Sequence, residues 1–208
     1  MKYEETGFRG VYRQLNVLAL TDRLREAAAG FPDADKADCV LTYGYIDRDA
    51  GVTLEILAGG KKDGDRFRFF EGNGSVRSFV RIGAVENDDL IRLEDADGRM
   101  KERYAEKIRM LKGYDVSEEI ESTRGMAFLD ASRDPYCVDD VLVCLIGEGL
   151  RPEGCWVRVS GLGDRCLTGI LLNEPDQDFR CHLGGTIAFF LRKTEDGRVV
   201  CWSNGRPE

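Results

Sequence analysis

Four short apolar runs near the end of the chain constrain its fold most strongly. They begin at Cys155, Cys166, Thr186 and Val199. The separators between them are Gly161-Leu162-Gly163-Asp164, Asn173-Glu174-Pro175-Asp176 and Glu195-Asp196-Gly197. Gly supplies positive φ, Pro fixes φ, and Asn and Asp bond their own backbone, so each separator is chemistry for reversing the chain. Runs too short for a helix, evenly spaced between such turns, predict an antiparallel meander or small barrel. A further run, Val141–Ile146, precedes them as a buried-looking strand. The expectation is therefore a compact, five-stranded antiparallel β-barrel-like unit over residues 125–208.

The same stretch carries a recognisable spacing. It comprises Trp156-Val157, then Gly169-Ile170-Leu171-Leu172-Asn173-Glu174-Pro175, then Gly184-Gly185-Thr186-Ile187-Ala188-Phe189, then Trp202. This resembles a family of small bacterial β-rich domains of unknown function with the pattern W-V … G-x-L-x-N-x-P … G-(D)-x-V-x-F … W. The resemblance covers the last third of the chain. Gly185 and Thr186 stand where the pattern has Gly-Asp, so no role passes to an acid there. The family brings no catalytic residues. It implies a β fold and, through members proposed to protect against bacterial toxins, a binding role.

Charge narrows the partners. The 208-residue chain carries 38 acidic and 30 basic residues, a formal −8, and an acidic chain repels phosphate backbones. Nucleic acid is thus an unfavoured partner and a basic protein a favoured one. No apolar run reaches bilayer-spanning length. The N-terminus, MKYEETGFRG, lacks the apolar core of a secretory signal, so a cytoplasmic location is expected. Seven cysteines with no C-x-x-C pair, beside a single histidine, do not make a structural zinc site. They read as small buried hydrophobes. No cofactor is implied.

The first 115 residues read as a separate α+β domain. Phe8, Val11, Tyr12, Leu15, Leu18 and Ala19, then Leu20, Leu24, Ala27 and Phe31, recur at helical intervals. They predict one helix, or two with a break near Thr21. Cys39–Ile46 and Val52–Leu57 read as a hairpin. Residues 59–65 read as a polar loop, and Arg66–Phe70 with Ser75–Ile82 as a second hairpin. Asp97–Lys112 reads as one helix, burying Met100, Tyr104, Ile108 and Leu111 and leaving Lys107 on a solvated outer face. The fold class is α+β: antiparallel hairpins with packed helices, then the small barrel.

Several groups are candidates for chemistry. His182 stands beside Cys181, but adjacent strand residues point to opposite faces, so the two do not form a pair within one strand. Glu174, Asp176 and Asp178 cluster after Asn173 and suit either a hydrolytic acid–base pair or a tight turn. Arg66, Phe67, Arg68, Phe69, Arg77 and Arg81 alternate cation and ring, as a single-strand nucleic-acid surface does. Trp156 and Trp202 bound the barrel, with Arg158 on the same strand face as Trp156. Burial in the barrel core is the plainer reading of the tryptophans, and exposed anchors of a protein-binding surface the alternative. The leading functional expectation is a non-catalytic protein-binding module using Trp156, Arg158, Asn173, Glu174 and Trp202. A hydrolase built on His182 or the acid cluster, and a nucleic-acid binder, follow it.

Overall fold

A computed structural model describes residues 1–64, 66–74 and 76–206; Ser75, which opens one expected strand, lies outside them. The chain divides into two compact units, Met1–Asp115 and Val116–Glu208. Helices and strands are mixed in the first, and the second is a closed barrel.

The first unit opens with a short helix α1 (Tyr3–Thr6) and a 3-10 turn at Phe8–Gly10. Leu15–Ala19 then forms a strand, β1, where the helical spacing predicts helix. Four of its five residues are buried, and it lies between two neighbouring strands. A strand covered on both faces shows no alternation, so its apolar run mimics a helical period. The expected break near Thr21 is a helix start: the Thr21 hydroxyl accepts from the Leu24 N–H and caps α2 (Asp22–Ala27).

Strands β2 (Cys39–Asp47) and β3 (Gly51–Asp63) pair antiparallel. β3 outruns its expected end because residues 59–63, read as part of a polar loop, continue the strand; Asp65, the end of that loop, lies outside the described residues. At Gly60 an added Cβ would sit 2.7 Å from the Phe69 ring, so the missing side chain admits that ring. β4 (Arg66–Phe69) and β5 (Phe79–Arg81) both pair with β3, at Gly60–Asp63 and Thr53–Glu55 respectively. They are not each other's partners, which corrects the expected second hairpin. β6 (Leu90–Arg92) pairs with β1. The sheet order is β4-β3-β2-β1-β6, with β5 beside β3, and every pairing is antiparallel.

The expected long helix is broken into α3 (Arg99–Arg103), α4 (Ala105–Met110) and a 3-10 turn, Leu111–Tyr114. The break falls at Tyr104, whose φ of −109° and ψ of 23° leave helical space. Its buried ring joins Leu15, Val17, Leu41, Leu57 and Phe69 in one core cluster, and its hydroxyl donates to the Phe70 carbonyl at 2.8 Å.

Lys107 overturns its assignment to the solvated face, being only 3% exposed. Its Nζ donates to the Ile56 carbonyl at 2.5 Å and to Asn73 Oδ1 at 2.7 Å, and lies 3.7 Å from the fully buried Glu55. Glu55 also accepts from Arg77 Nε at 2.9 Å and from the Ser78 N–H at 3.1 Å. Burial outweighs the neighbouring carboxylate and brings the Lys107 ammonium down to about 8.

The second unit begins with α5 (Glu118–Gly125), capped by the Ser117 hydroxyl. Its strands are β7 (Asp140–Leu145), β8 (Glu153–Leu162), β9 (Leu167–Leu171), β10 (Thr186–Lys193) and β11 (Val199–Ser203). They close in the order β10-β11-β7-β8-β9. The barrel is mixed, because β11 and β7 run parallel; this corrects the all-antiparallel expectation. The reason is parity. An up-and-down run of five strands returns its last strand in the direction of its first. Inward positions alternate along each strand: Val141, Val143 and Leu145; Cys155, Val157 and Val159; Leu167 and Leu171; Ile187 and Phe189; Cys201. Five of the seven cysteines, Cys39, Cys155, Cys166, Cys181 and Cys201, are buried as core hydrophobes, and burial raises the thiols of Cys155, Cys181 and Cys201.

Candidate functional site

Neither tryptophan lies in the barrel core. Trp156 stands on β8 between inward Cys155 and Val157, and Trp202 on β11 between inward Cys201 and Ser203, so both side chains point outward and are half-buried. Trp202 packs on Phe190 of β10, with ring centroids 5.2 Å apart, and pairs on its other side with Cys144 of β7. Leu142, two residues earlier on β7, pairs with Trp156 and is 44% exposed. Val200 shares the outward set of β11 with Trp202, and Ile146, 43% exposed, follows β7. The outer wall over β11, β7 and β8 is therefore an apolar surface of two tryptophans and aliphatic side chains. In a solvated barrel this wall would normally be polar.

Arg158 also faces outward, beside Trp156. Its guanidinium grips Asp140 bidentately, Nε–Oδ1 at 2.7 Å and Nη2–Oδ2 at 3.0 Å, which fixes a planar cation at the edge of the wall. Asn173 works for the fold instead. Its Oδ1 accepts from the Trp156 N–H at 2.7 Å and its Nδ2 donates to Cys155 Sγ at 3.4 Å. It clamps the connection after β9 onto the strand that carries Trp156.

The acids of that connection lie next to the clamp. Glu153, on the Trp156 strand, accepts from the Asp176 N–H at 2.6 Å. Glu174, Asp176 and Asp178 are exposed. Asp178 accepts from the Arg180 N–H at 3.0 Å, within its own turn. Glu174 holds His182, Oε1 to Nδ1 at 2.7 Å, and accepts from the Leu183 N–H at 2.7 Å. The hydrogen bond to His182 depresses the Glu174 carboxyl and raises the His182 imidazole. The pair's attraction is present between their ordinary values of 4.5 and 6.5. It fades as pH rises through the raised imidazole value or falls through the lowered carboxyl value.

His182 is 77% exposed along its side chain, and Cys181 turns into the core. Among the described residues, no Ser, Thr or Cys side chain bonds the His182 ring. The cation–ring set of the first unit is likewise dispersed. Phe69 is buried, Arg77 is held by Glu55 and Arg81 by Asp47. Arg66 and Arg68 are exposed on β4, which pairs with a different part of β3 from β5.

Leu142, Cys144, Phe190 and Val200 escape the sequence reading. Val141-Leu142-Val143-Cys144-Leu145 is apolar on both faces, so no period of two betrays which side faces water. Acidity is also unevenly placed. Residues 116–208 carry sixteen acids and ten bases, a formal −6 of the chain's −8. Among the described residues no helix is long and apolar enough to cross a membrane. No protein-family model, curated protein or solved structure matches the chain.

Proposed function

We propose that the chain is a non-catalytic binding protein whose barrel holds a basic partner protein on its outer wall. The observation that carries this reading is the apolar surface of Trp156, Leu142, Trp202 and Val200, on whose strand β8 the connection bearing Glu174, Asp176 and Asp178 is clamped through Asn173 and Glu153. Half-buried tryptophans ringed by polar side chains are the material of interface hot spots. The acids of that connection, in a unit of formal charge −6, select and steer a cationic partner. The last third resembles small β-rich domains of unknown function, some of whose members are proposed to protect against bacterial toxins, and on that analogy alone a bacterial toxin is one such partner.

The test is capture from native-host lysate by the wild-type chain and by two variants, Trp156→Ala with Leu142→Ser, and Glu174→Gln with Asp176→Asn. A basic protein held by the wild type should be lost with the first, since one hot-spot side chain is worth on the order of 2 kcal/mol. With the second it should bind more weakly and with a shallower salt dependence. Undiminished capture by the Trp156→Ala/Leu142→Ser variant, with its fold intact by circular dichroism, rules out this wall.

A further inference from the structure

A cleft of about 220 Å³ opens on the first unit between β2, the residues before β1, and the segment from α4 to Asp115. Its lining is out of character with an acidic chain. Tyr12, Tyr43, Tyr45 and Tyr114 supply phenol rings; Arg13, Arg109 and Lys112 supply cations, against the one carboxylate of Asp115. We propose that this cleft binds a small planar ligand, a single aromatic ring bearing an anionic group.

Packing fixes the rings: Tyr45, only 4% exposed, backs the cleft, and Tyr12, Tyr43 and Tyr114 are half-buried around it. Tyr45 and Tyr114 pack with centroids 4.6 Å apart. Arg77 lies 5.6 Å from the first ring and 5.5 Å from the second, and donates to the Tyr45 hydroxyl at 2.8 Å. Its charge is already met by Glu55, as that of Arg13 is by Asp115, so it orients the tyrosines and the anion falls to Arg109 and Lys112. Lys101 Nζ, 5.9 Å from the Tyr43 ring, adds positive potential beside it.

The strand and the preceding segment are held close by Gly44. The Val11 carbonyl oxygen lies 2.0 Å from where a Cβ would stand there, so only glycine admits it. The Arg13 N–H donates to the Gly44 carbonyl at 2.8 Å, and the Gly44 N–H to Gln14 at 3.1 Å. Arg13 is thereby held at a left-handed φ of 57°, the kind of local strain that persists where the surroundings enforce it. Its guanidinium reaches Asp115 at 3.3 Å and lies 5.0 Å over the Tyr12 ring. Arg109 donates to Ala105 of its own helix at 3.3 Å, and Lys112 is exposed.

Size and chemistry together choose the ligand class. The volume is below the range of about 300–1,000 Å³ typical of drug-sized sites, so one ring fits and a larger polycycle does not. Phenol rings favour an aromatic face, and cations concentrated in a cleft focus an anion. Neither half of the ligand suffices alone.

The experiment titrates phenyl phosphate, inorganic phosphate and benzyl alcohol into the full chain, read by calorimetry and by magnetisation transfer from the tyrosine rings to the probe. Phenyl phosphate should saturate a single site. The other two should bind at least about tenfold more weakly, a difference of 1.4 kcal/mol. Arg109→Glu with Lys112→Glu, both at exposed positions, should weaken phenyl phosphate at least about tenfold while leaving the fold unchanged. No saturation by about 10 mM phenyl phosphate, inorganic phosphate binding equally well, or indifference to the charge reversal would each overturn the proposal.

Discussion

Lys107 is a cation in a place that burial makes unfavourable, and its neighbours decide the consequence. Its ordinary value is 10.5 and in the fold it is about 8. The unfolded chain therefore holds more protons between those values, and this group makes stability rise with pH across that window. Below about 8 the charged form is retained, held by Ile56, Asn73 and Glu55. Lys107→Met removes the cost of burying the ammonium but leaves Glu55 with a cation fewer in a site without solvent. The lowered value already includes Glu55's attraction, so the loss expected on substitution comes from the Ile56 carbonyl and Asn73 Oδ1 left without their donor, about 1–3 kcal/mol. Urea midpoints at about pH 7 and about pH 9.5 should show a lower stability for the variant and the loss of the lysine's share of the rise. An unchanged midpoint would mean that those two acceptors are satisfied without the lysine.

Among the elements, α5 is fastened by a buried ion pair. Arg124 meets Asp139 through Nε–Oδ1 at 2.9 Å and Nη2–Oδ2 at 2.7 Å, and both side chains are only 2% exposed. Asp139 immediately precedes β7, so the pair fastens the helix to the start of the barrel. Arg133 adds hydrogen bonds to the Thr123 and Val138 carbonyls. Asp139→Ala is expected to cost about 3–5 kcal/mol, and replacing both partners by leucine appreciably less, because no charge is then stranded. Denaturant midpoints of the two variants check this; equal losses would assign the effect to packing.

How far each element was legible follows from its surroundings. The barrel strands announce themselves through turn chemistry, and their ends fall close to the Gly, Pro, Asn and Asp clusters between them. β1 does not, since Leu15, Val17 and Leu18 are all buried and sheet neighbours override a local helical period. Lys107 looks like any solvated lysine until Glu55, far away in the chain, is placed beside it. Of the candidate face, Trp156, Trp202 and Arg158 could be named as candidates from the sequence, whereas Leu142 and Val200 needed the strand register.

For the whole molecule, the two units differ in how they seal their cores. The first covers an open sheet. The second closes its sheet on itself, which removes free edges, and carries its own cluster from Leu129 to Cys201. A fragment of residues 116–208 should therefore fold alone and melt in one cooperative transition. Circular dichroism tests this; a broad, non-cooperative melt would show that its core is incomplete without residues 1–115.

The parallel seam between β7 and β11 has a bearing on how the barrel assembles. Every other neighbour in it joins strands that follow one another along the chain, but the seam brings Cys201 to Val143, 58 residues earlier. Loop-closure entropy grows with the length enclosed. The topological cost of the unit is therefore concentrated at one junction, which must outweigh it with few contacts of its own. Within that register, Ser203 pairs with Leu145, and its hydroxyl donates to the Ala188 carbonyl at 2.5 Å. A buried serine thus acts as the latch on a long loop, tying the last strand to both of its flanking strands.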